Sequence, residues 1–416
     1  MPRQNRLVLI AATAAYFAAV LQRSSLGVAS LSAVERFSVS AAALSALAVF
    51  QLMVYAAMQI PVGVLLDRFG PKLMLQLGAI AMTVGQLVVA YADTISAAYL
   101  GRILVGMGDA FTFISMLRLI VSWAPKKRIA RTQQFMVNIG QLGQLASAIP
   151  FAILLANFGW RSAFEASASV VVFGLIAVSL FVKNEPADHI EHKRAITLRE
   201  AFRVVGESVR HAPTRMSFWI HFTLQSSGSV FALLWGVPFL VEGEGMSRAF
   251  ASTMLSAQMA LYLVFGSFIG WIAQHHPKRR KSVVVVIAVS IIAIWLVFAM
   301  LPTRAPIWLM ICLVVIISAG GPGSMLAMDY SREFTPKHKL GAANGFINIG
   351  GFLATFVMMA LAGWILDLVK TALGVSSAFT LTGFRFALGA QVVVIGFGLG
   401  MYLWERSKSR ALIDME

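Results

Sequence analysis

Apolar residues run in long unbroken stretches along this chain, and charged or turn-forming residues gather in short punctuations between them. A helix needs roughly 20 apolar residues to cross the hydrocarbon of a bilayer, and these stretches reach that length. They predict helices over 7–31, 40–66, 72–91, 96–122, 128–156 and 160–182, then over 215–241, 248–273, 282–301, 306–330, 338–366 and 382–404. The predicted fold class is all-α and integral to the membrane, with twelve transmembrane helices in two pseudo-symmetric six-helix bundles. The bundles are expected over 1–183 and 215–416, joined by a cytoplasmic linker over 184–214. The first run starts near the beginning of the chain, as a signal peptide would. It exceeds a signal core in length, and "LQRSSLGV" is a poor cleavage site, so it is read as the first helix.

Composition agrees: 58% of residues are hydrophobic and 12% charged, about half the charged share of a soluble domain. The net charge of +16 would suit nucleic acid, but the basic residues sort by side. With both termini cytoplasmic, most Lys and Arg fall on inner segments. The outer ones hold only Arg36, Arg161, Arg248, Arg304, Lys370 and Arg385, and Arg23, Arg102 and Arg118 fall inside spans. The positive-inside bias accounts for the charge and orients the chain, so no nucleic-acid partner is expected. The lone Cys312 lies in a span and the histidines show no ligand spacing. Neither a disulfide framework nor a metal site is therefore expected.

Three segments recur in order. "GVLLDRFGPK" from Gly63 aligns with "GWIAQHHPKR" from Gly270, "PKKRIARTQQF" from Pro125 with "PKHKLGAANGF" from Pro336, and "GWRSAF" from Gly159 with "GFRFAL" from Gly383. Each pair falls at the same turn of a six-helix unit, which marks an internal duplication. The polar segment between the halves reads as a solvated linker. Its "ITLREAFRVVGESV" core also has the pattern of a short amphipathic helix on the membrane surface.

The twelve-span layout and "GVLLDRFGPK" resemble the major facilitator superfamily, whose signature after the second helix runs approximately G-x-x-x-D-R-x-G-R-K. Gly63, Asp67, Arg68, Gly70 and Lys72 match, while Pro71 departs from the usual basic residue. A second family motif, R-x-x-x-G-x-G, is matched by Arg102, Gly106 and Gly108. The resemblance implies a secondary transporter working by alternating access. Asp67 falls at the C-terminal end of a helix, where a carboxylate meets the negative end of the macrodipole and needs a cationic partner. In the family that partner comes from nearby basic residues and from the N-terminal end of helix eleven, so the hinge is expected to latch the inner side. Gly63 would permit close helix approach and Gly70 a tight turn. Arg128, Asp329 and Arg332 are assigned to the same inner gate. The second-half turn lacks the aspartate, so the latch should be asymmetric.

Ionisable residues at membrane depth cost roughly 2.5 to 3.5 kcal/mol even on lenient scales, and so mark cavities or partners. Arg23 and Arg102 fall in the outer half at similar depth, and Asp109 lies two turns beyond Arg102 on the same face. Asp109 is the leading proton site, with Arg102 as its modulator or its fixed structural partner and Glu165 as a second candidate. Arg118, near the inner headgroups, reads as a snorkelling residue. Polar stripes supply candidate substrate contacts: Gln51, Tyr55 and Gln59 in the second helix, Asn138 and Gln141 in the fifth, Gln225, Gln258 and Asn348 in the second half. Several lie near the midplane, where such transporters bind substrate between repeats, though each could equally bridge helices.

No G-x-x-x-x-G-K-[ST] is present and no nucleophile or metal cluster appears, so neither a nucleotide-driven pump nor an enzyme is expected. Protons are the expected coupling ion, and no cofactor is. Drug-exporting members of the family carry an ending near G-P-x-x-G-G in helix five, and "NIGQLGQLASAIPFA" lacks it. The reading is therefore proton-coupled symport of a small solute through the bacterial inner membrane, by a monomer in contact with lipid. Arg23 and Arg102 suggest an anionic substrate, because arginine pairs carboxylate bidentately. Asp109 could instead neutralise one of them, and proton-coupled export of amphipathic compounds is the alternative.

Overall fold

Backbone amides have no partner in hydrocarbon except each other, so an apolar run must satisfy itself as a helix. The computed structural model describes residues 3–125, 128–186, 197–335 and 340–408, and among these only helices and turns form, with no strand. Ten helical stretches among the described residues are long and apolar enough to cross a bilayer. Two of them, Ala41–Tyr91 and Arg131–Phe181, are 51 residues each, about 75 Å at the helical rise and more than twice the hydrocarbon thickness. Each is broken by a glycine at positive φ, Gly70 (77°) and Gly159 (78°). Each is thus long enough to cross twice and turn at its glycine, as the runs expected on either side of these residues require.

The first compact unit comprises residues 1–38 and 50–200. Its α1 (Arg3–Phe37) packs against α3 (Ile95–Trp123), α4 (Ile129–Ala146) and α5 (Ala152–Phe181), and α2 (Ala41–Tyr91) supplies the rest. The contact face of α1 is small and apolar, with Val8, Ala11, Ala12 and Ala15 beside Met116, Leu119, Ile120 and Val178. Small residues let backbones approach where lipid offers no hydrophobic drive. Farther along, Gln22, Ser25, Gln86 and Ser167 form one buried network that joins α1, α2 and α5.

The second unit comprises 39–49 and 201–416. It holds α6 (Leu198–Arg210) from Ala201 on, α7 (Ala212–Val230), α8 (Arg248–His275), α9 (Arg280–Met300), α10 (Ile307–Ser318), α11 (Leu326–Phe334), α12 (Leu340–Leu373), α13 (Leu381–Gly389) and α14 (Gln391–Lys408). The helix expected over 382–404 is thus two pieces, α13 and α14. The span beginning with α7 is the central post, 83% of its most apolar window being buried, against 22% for α8. It packs on α12 and α14, where Phe218 stacks on Phe346 at 4.7 Å between ring centroids. Within the stretch expected as linker, 187–196 lies outside the described residues, and α6 forms where the amphipathic pattern placed it.

Candidate functional site

The motif glycines act first on backbone spacing. A Cβ on Gly106 would collide with the Gln51 carbonyl, and one on Gly108 with the Gly78 carbonyl, so α3 lies hard against both halves of α2. That approach sets Arg102, one turn before Gly106, beside the Gln51 side chain, to whose Oε1 it donates. Its other bonds go to the carbonyls of Gln22 and Arg23, at 3.4 and 3.5 Å. Arg102 is buried, with 1% of its surface exposed, and its Nε has no partner, nor does Nε2 of Gln51.

Asp109 pairs with Arg23, not with Arg102 as the same-face spacing allowed. Arg23 donates through Nε to Oδ2 at 2.7 Å and through a terminal nitrogen to Oδ1 at 2.8 Å, a bidentate fork on a buried carboxylate. The Arg23 guanidinium also lies over the Tyr55 ring, 4.9 Å from its centroid. Cation–π contact and ion pair together hold the fork in place. Of the other expected site residues in this unit, Gln59 donates to the Tyr55 carbonyl and Gln141 to the Tyr16 hydroxyl. Asn138 accepts from Gln134 on its own helix, at the surface. Glu165 pairs with Arg161 one turn away and is 36% exposed, the arrangement of a rim residue.

The second unit carries a neutral cluster. Ser324 donates to Gln225, which donates to Ser229, and the buried His221 lies 3.4 Å from the Ser324 carbonyl and is hydrogen-bonded to Asn348. Gln258 donates to the Gly228 carbonyl, while its own Oε1 is buried without a partner.

At the hinge, Gly70 adopts its positive φ against Asn184, whose Oδ1 accepts from the Lys72 amide. Asp67 lies 3.9 Å from Arg118, so the arginine expected to snorkel is the partner the carboxylate needed. Arg68 stacks on Phe69, and Arg128 is exposed at the start of α4. Gly63 meets no close neighbour among the described residues, so the tight approach expected there is absent. In the second unit Asp329 pairs with Arg332, and Arg280 with Glu333. The charges are exchanged: the basic residue follows the turn and the acid ends the next helix but one.

Two contacts were not visible in the spacing of the sequence. Asp367 on α12 accepts from the amides of Ala41 and Ala42 at 3.0 and 2.9 Å, within the second unit, to which the first turns of α2 belong. Ser40 takes the next two amides, Ala43 on its hydroxyl and Leu44 on its carbonyl. The Leu44 bond is the first of the helix itself, and the three amides before it, which have no intrahelical acceptor, are thus met. Second, Glu244 is buried and accepts from the Ala305 amide at 2.7 Å beside Arg304 and Arg385. Burial pushes its carboxyl above the ordinary range, an effect the amide and the two arginines oppose. A raised acid binds protons more tightly when folded, so this contribution to stability is greatest below about pH 4 and declines as pH rises through the folded value. Glu244→Gln should flatten that decline in a series of melting temperatures from pH 4 upward; an unchanged slope would count against it.

Comparison with known proteins places these features. The profile of the Major Facilitator Superfamily matches residues 12–354 and 217–412. A probable L-galactonate transporter of Escherichia coli (strain K12) is 30% identical over 224 residues, covering 52% of this chain and 48% of the relative. The match therefore spans about half that relative's length. A hexuronate transporter of Bacillus subtilis (strain 168) is 24% identical over 361 residues, 82% of each chain. Among solved structures, a bacterial homolog of the human lysosomal transporter Spinster, in an inward-facing and unoccupied conformation, superposes with a TM-score of 0.76. It is 17% identical and 97% of each chain is covered.

Proposed function

The chain belongs to the major facilitator superfamily, and from that premise we propose that this multi-pass transporter carries an organic anion across the bacterial inner membrane by proton-coupled symport. Arg102 carries the reading: a buried cation held by neutral oxygens, with an unpartnered Nε. A buried charge without a counterion is costly, so such a residue is kept for a partner that comes and goes. Two guanidiniums and one carboxylate leave the Arg23, Arg102 and Asp109 cluster with one positive charge, which a single substrate carboxylate would neutralise.

Proton coupling follows from the same fork. A proton on Asp109 releases Arg23, so both arginines become available to the anion. Proton and anion therefore favour each other's binding, and that reciprocity is what symport needs. The relatives named for L-galactonate and hexuronate support a sugar-acid cargo. Glu165 keeps only a peripheral part in this proposal.

The test is thermal stability of the purified, detergent-solubilised protein with galactonate, glucuronate, neutral galactose or tetraphenylphosphonium. A ligand that binds only the folded state stabilises it by about 2.7 kcal/mol at a hundredfold excess over Kd. Galactonate or glucuronate should raise the melting temperature in wild type and not in Arg102→Gln. Stabilisation by the cation alone would turn the reading to proton-coupled export of amphipathic compounds.

For the inner gate we place Asp67 with Arg118, supported by Arg68, Lys72 and Arg128, and Asp329 with Arg332 in the second unit. A half-exposed pair of this kind contributes about 0 to 1 kcal/mol, weak enough to break in each cycle. Asp67→Ala should therefore raise maleimide labelling of an inner-cavity cysteine by up to about fivefold, and unchanged labelling would reduce the hinge to a turn.

A further inference from the structure

Among the described residues, α6 is a helix that neither spans nor packs fully. The α6 helix starts with its own capping box: the Thr197 hydroxyl accepts from the Glu200 amide at 3.2 Å, and the Glu200 carboxylate accepts from the Thr197 amide at 2.8 Å. It therefore needs no tertiary contact to begin. At its other end only His211, extended at φ −77° and ψ 120°, separates it from α7. Arg215, in the first turn or so of α7, donates to the Val209 and Arg210 carbonyls at 3.3 and 2.6 Å and to Glu405 at 2.9 Å. A one-residue joint clamped to the base of a span leaves the helix at the edge of the hydrocarbon.

The order of residues around α6 then decides what it meets. At about 100° per residue, Leu198, Phe202, Val205 and Val209 share an arc of about 60°. Leu198 and Phe202 are 45% and 52% exposed. About 110° round come Arg199, Arg203 and Arg210, all exposed, and beyond them, opposite the apolar arc, Glu200 and Glu207. Ser208, on the remaining side, is buried against the protein. Apolar, then basic, then acidic is the order of acyl chains, headgroups and water at a membrane surface.

We infer that α6 is a binding site for anionic phospholipid: Leu198 and Phe202 enter the acyl boundary while Arg199, Arg203 and Arg210 engage headgroup phosphates. Basic residues near such a surface each contribute about 1 kcal/mol, screened by salt. The occupant would tether this helix to the inner leaflet, a role separate from the transport site.

Hydrogen exchange of residues 198–210 in the full-length protein tests this, in nanodiscs of phosphatidylcholine alone and with phosphatidylglycerol added. Anionic lipid should slow exchange of these amides at least tenfold, and 0.5 M NaCl should remove the increment in wild type. Arg199→Gln with Arg203→Gln and Arg210→Gln should be indifferent to lipid composition, with α7 protected as before. Equal exchange of wild type in both lipids, or an increment that survives salt, overturns the proposal. The salt arm needs no variant to fold, and transport is not its readout.

Discussion

Asp109→Asn should abolish accumulation driven by a pH gradient while leaving counterflow exchange intact. A gradient of two pH units is worth about 2.7 kcal/mol, enough for roughly hundredfold accumulation by a one-proton symporter, and the variant is expected to reach none of it. Asparagine keeps an oxygen that can accept from Arg23 but cannot ionise, so the site is held in the state that protonated Asp109 would occupy. Both guanidiniums stay available to the anion. Substrate binding, which in wild type should weaken as pH rises, becomes independent of pH in the variant. The measurement is radiolabelled uptake in proteoliposomes with and without a gradient. Gradient-driven accumulation that survives the substitution would remove Asp109 from proton coupling while leaving Arg102 as an anion site.

Apolar runs announce helices directly, because hydrocarbon leaves the backbone no alternative, and the breaks at Gly70 and Gly159 are legible as glycines between runs. The charged residues of the site are legible too, since so few lie at depth. Their partners are not. Spacing within one helix put Asp109 on the face of Arg102, yet the fork that binds it comes from Arg23, 86 positions earlier. Which helix faces which is decided by close approaches such as Gly106 against Gln51, and a motif shows the glycine without showing its neighbour. Arg118 illustrates the same limit: its depth suits snorkelling, and only the packing of α3 on α2 brings it to Asp67. Gly63 is the reverse case, a motif glycine whose expected neighbour is absent among the described residues.

The largest conformational effect should come from Asp367. Ser40 as an N-cap could be read from its place before an apolar run, but the carboxylate that takes the two preceding amides lies over 300 residues away. Gly363, one turn earlier on α12, lies so near the first turn of α2 that a Cβ there would meet the Ala41 carbonyl and the Ser45 hydroxyl, each at 2.7 Å. An acid at a helix N-terminus is worth about 1 to 2 kcal/mol when it both caps and meets the dipole. Where the first turns of α2 part from α12 during transport, the energy of this contact acts on the equilibrium between states. Asp367→Ala should shift it by about tenfold or more toward the state in which α2 and α12 separate. Cys312→Ser removes the only native thiol, and Ser45→Cys then places one at the contact, where Ser45 is 3% exposed. Labelling by a membrane-impermeant maleimide should be slow in that background and about tenfold faster once Asp367→Ala is added. Asp367→Glu, which keeps the charge, should restore part of the protection. Equal labelling rates with and without Asp367 would mean that the carboxylate only caps a helix. The Asp67 hinge would then be left as the sole charged latch tested, and the Asp109 prediction would be untouched.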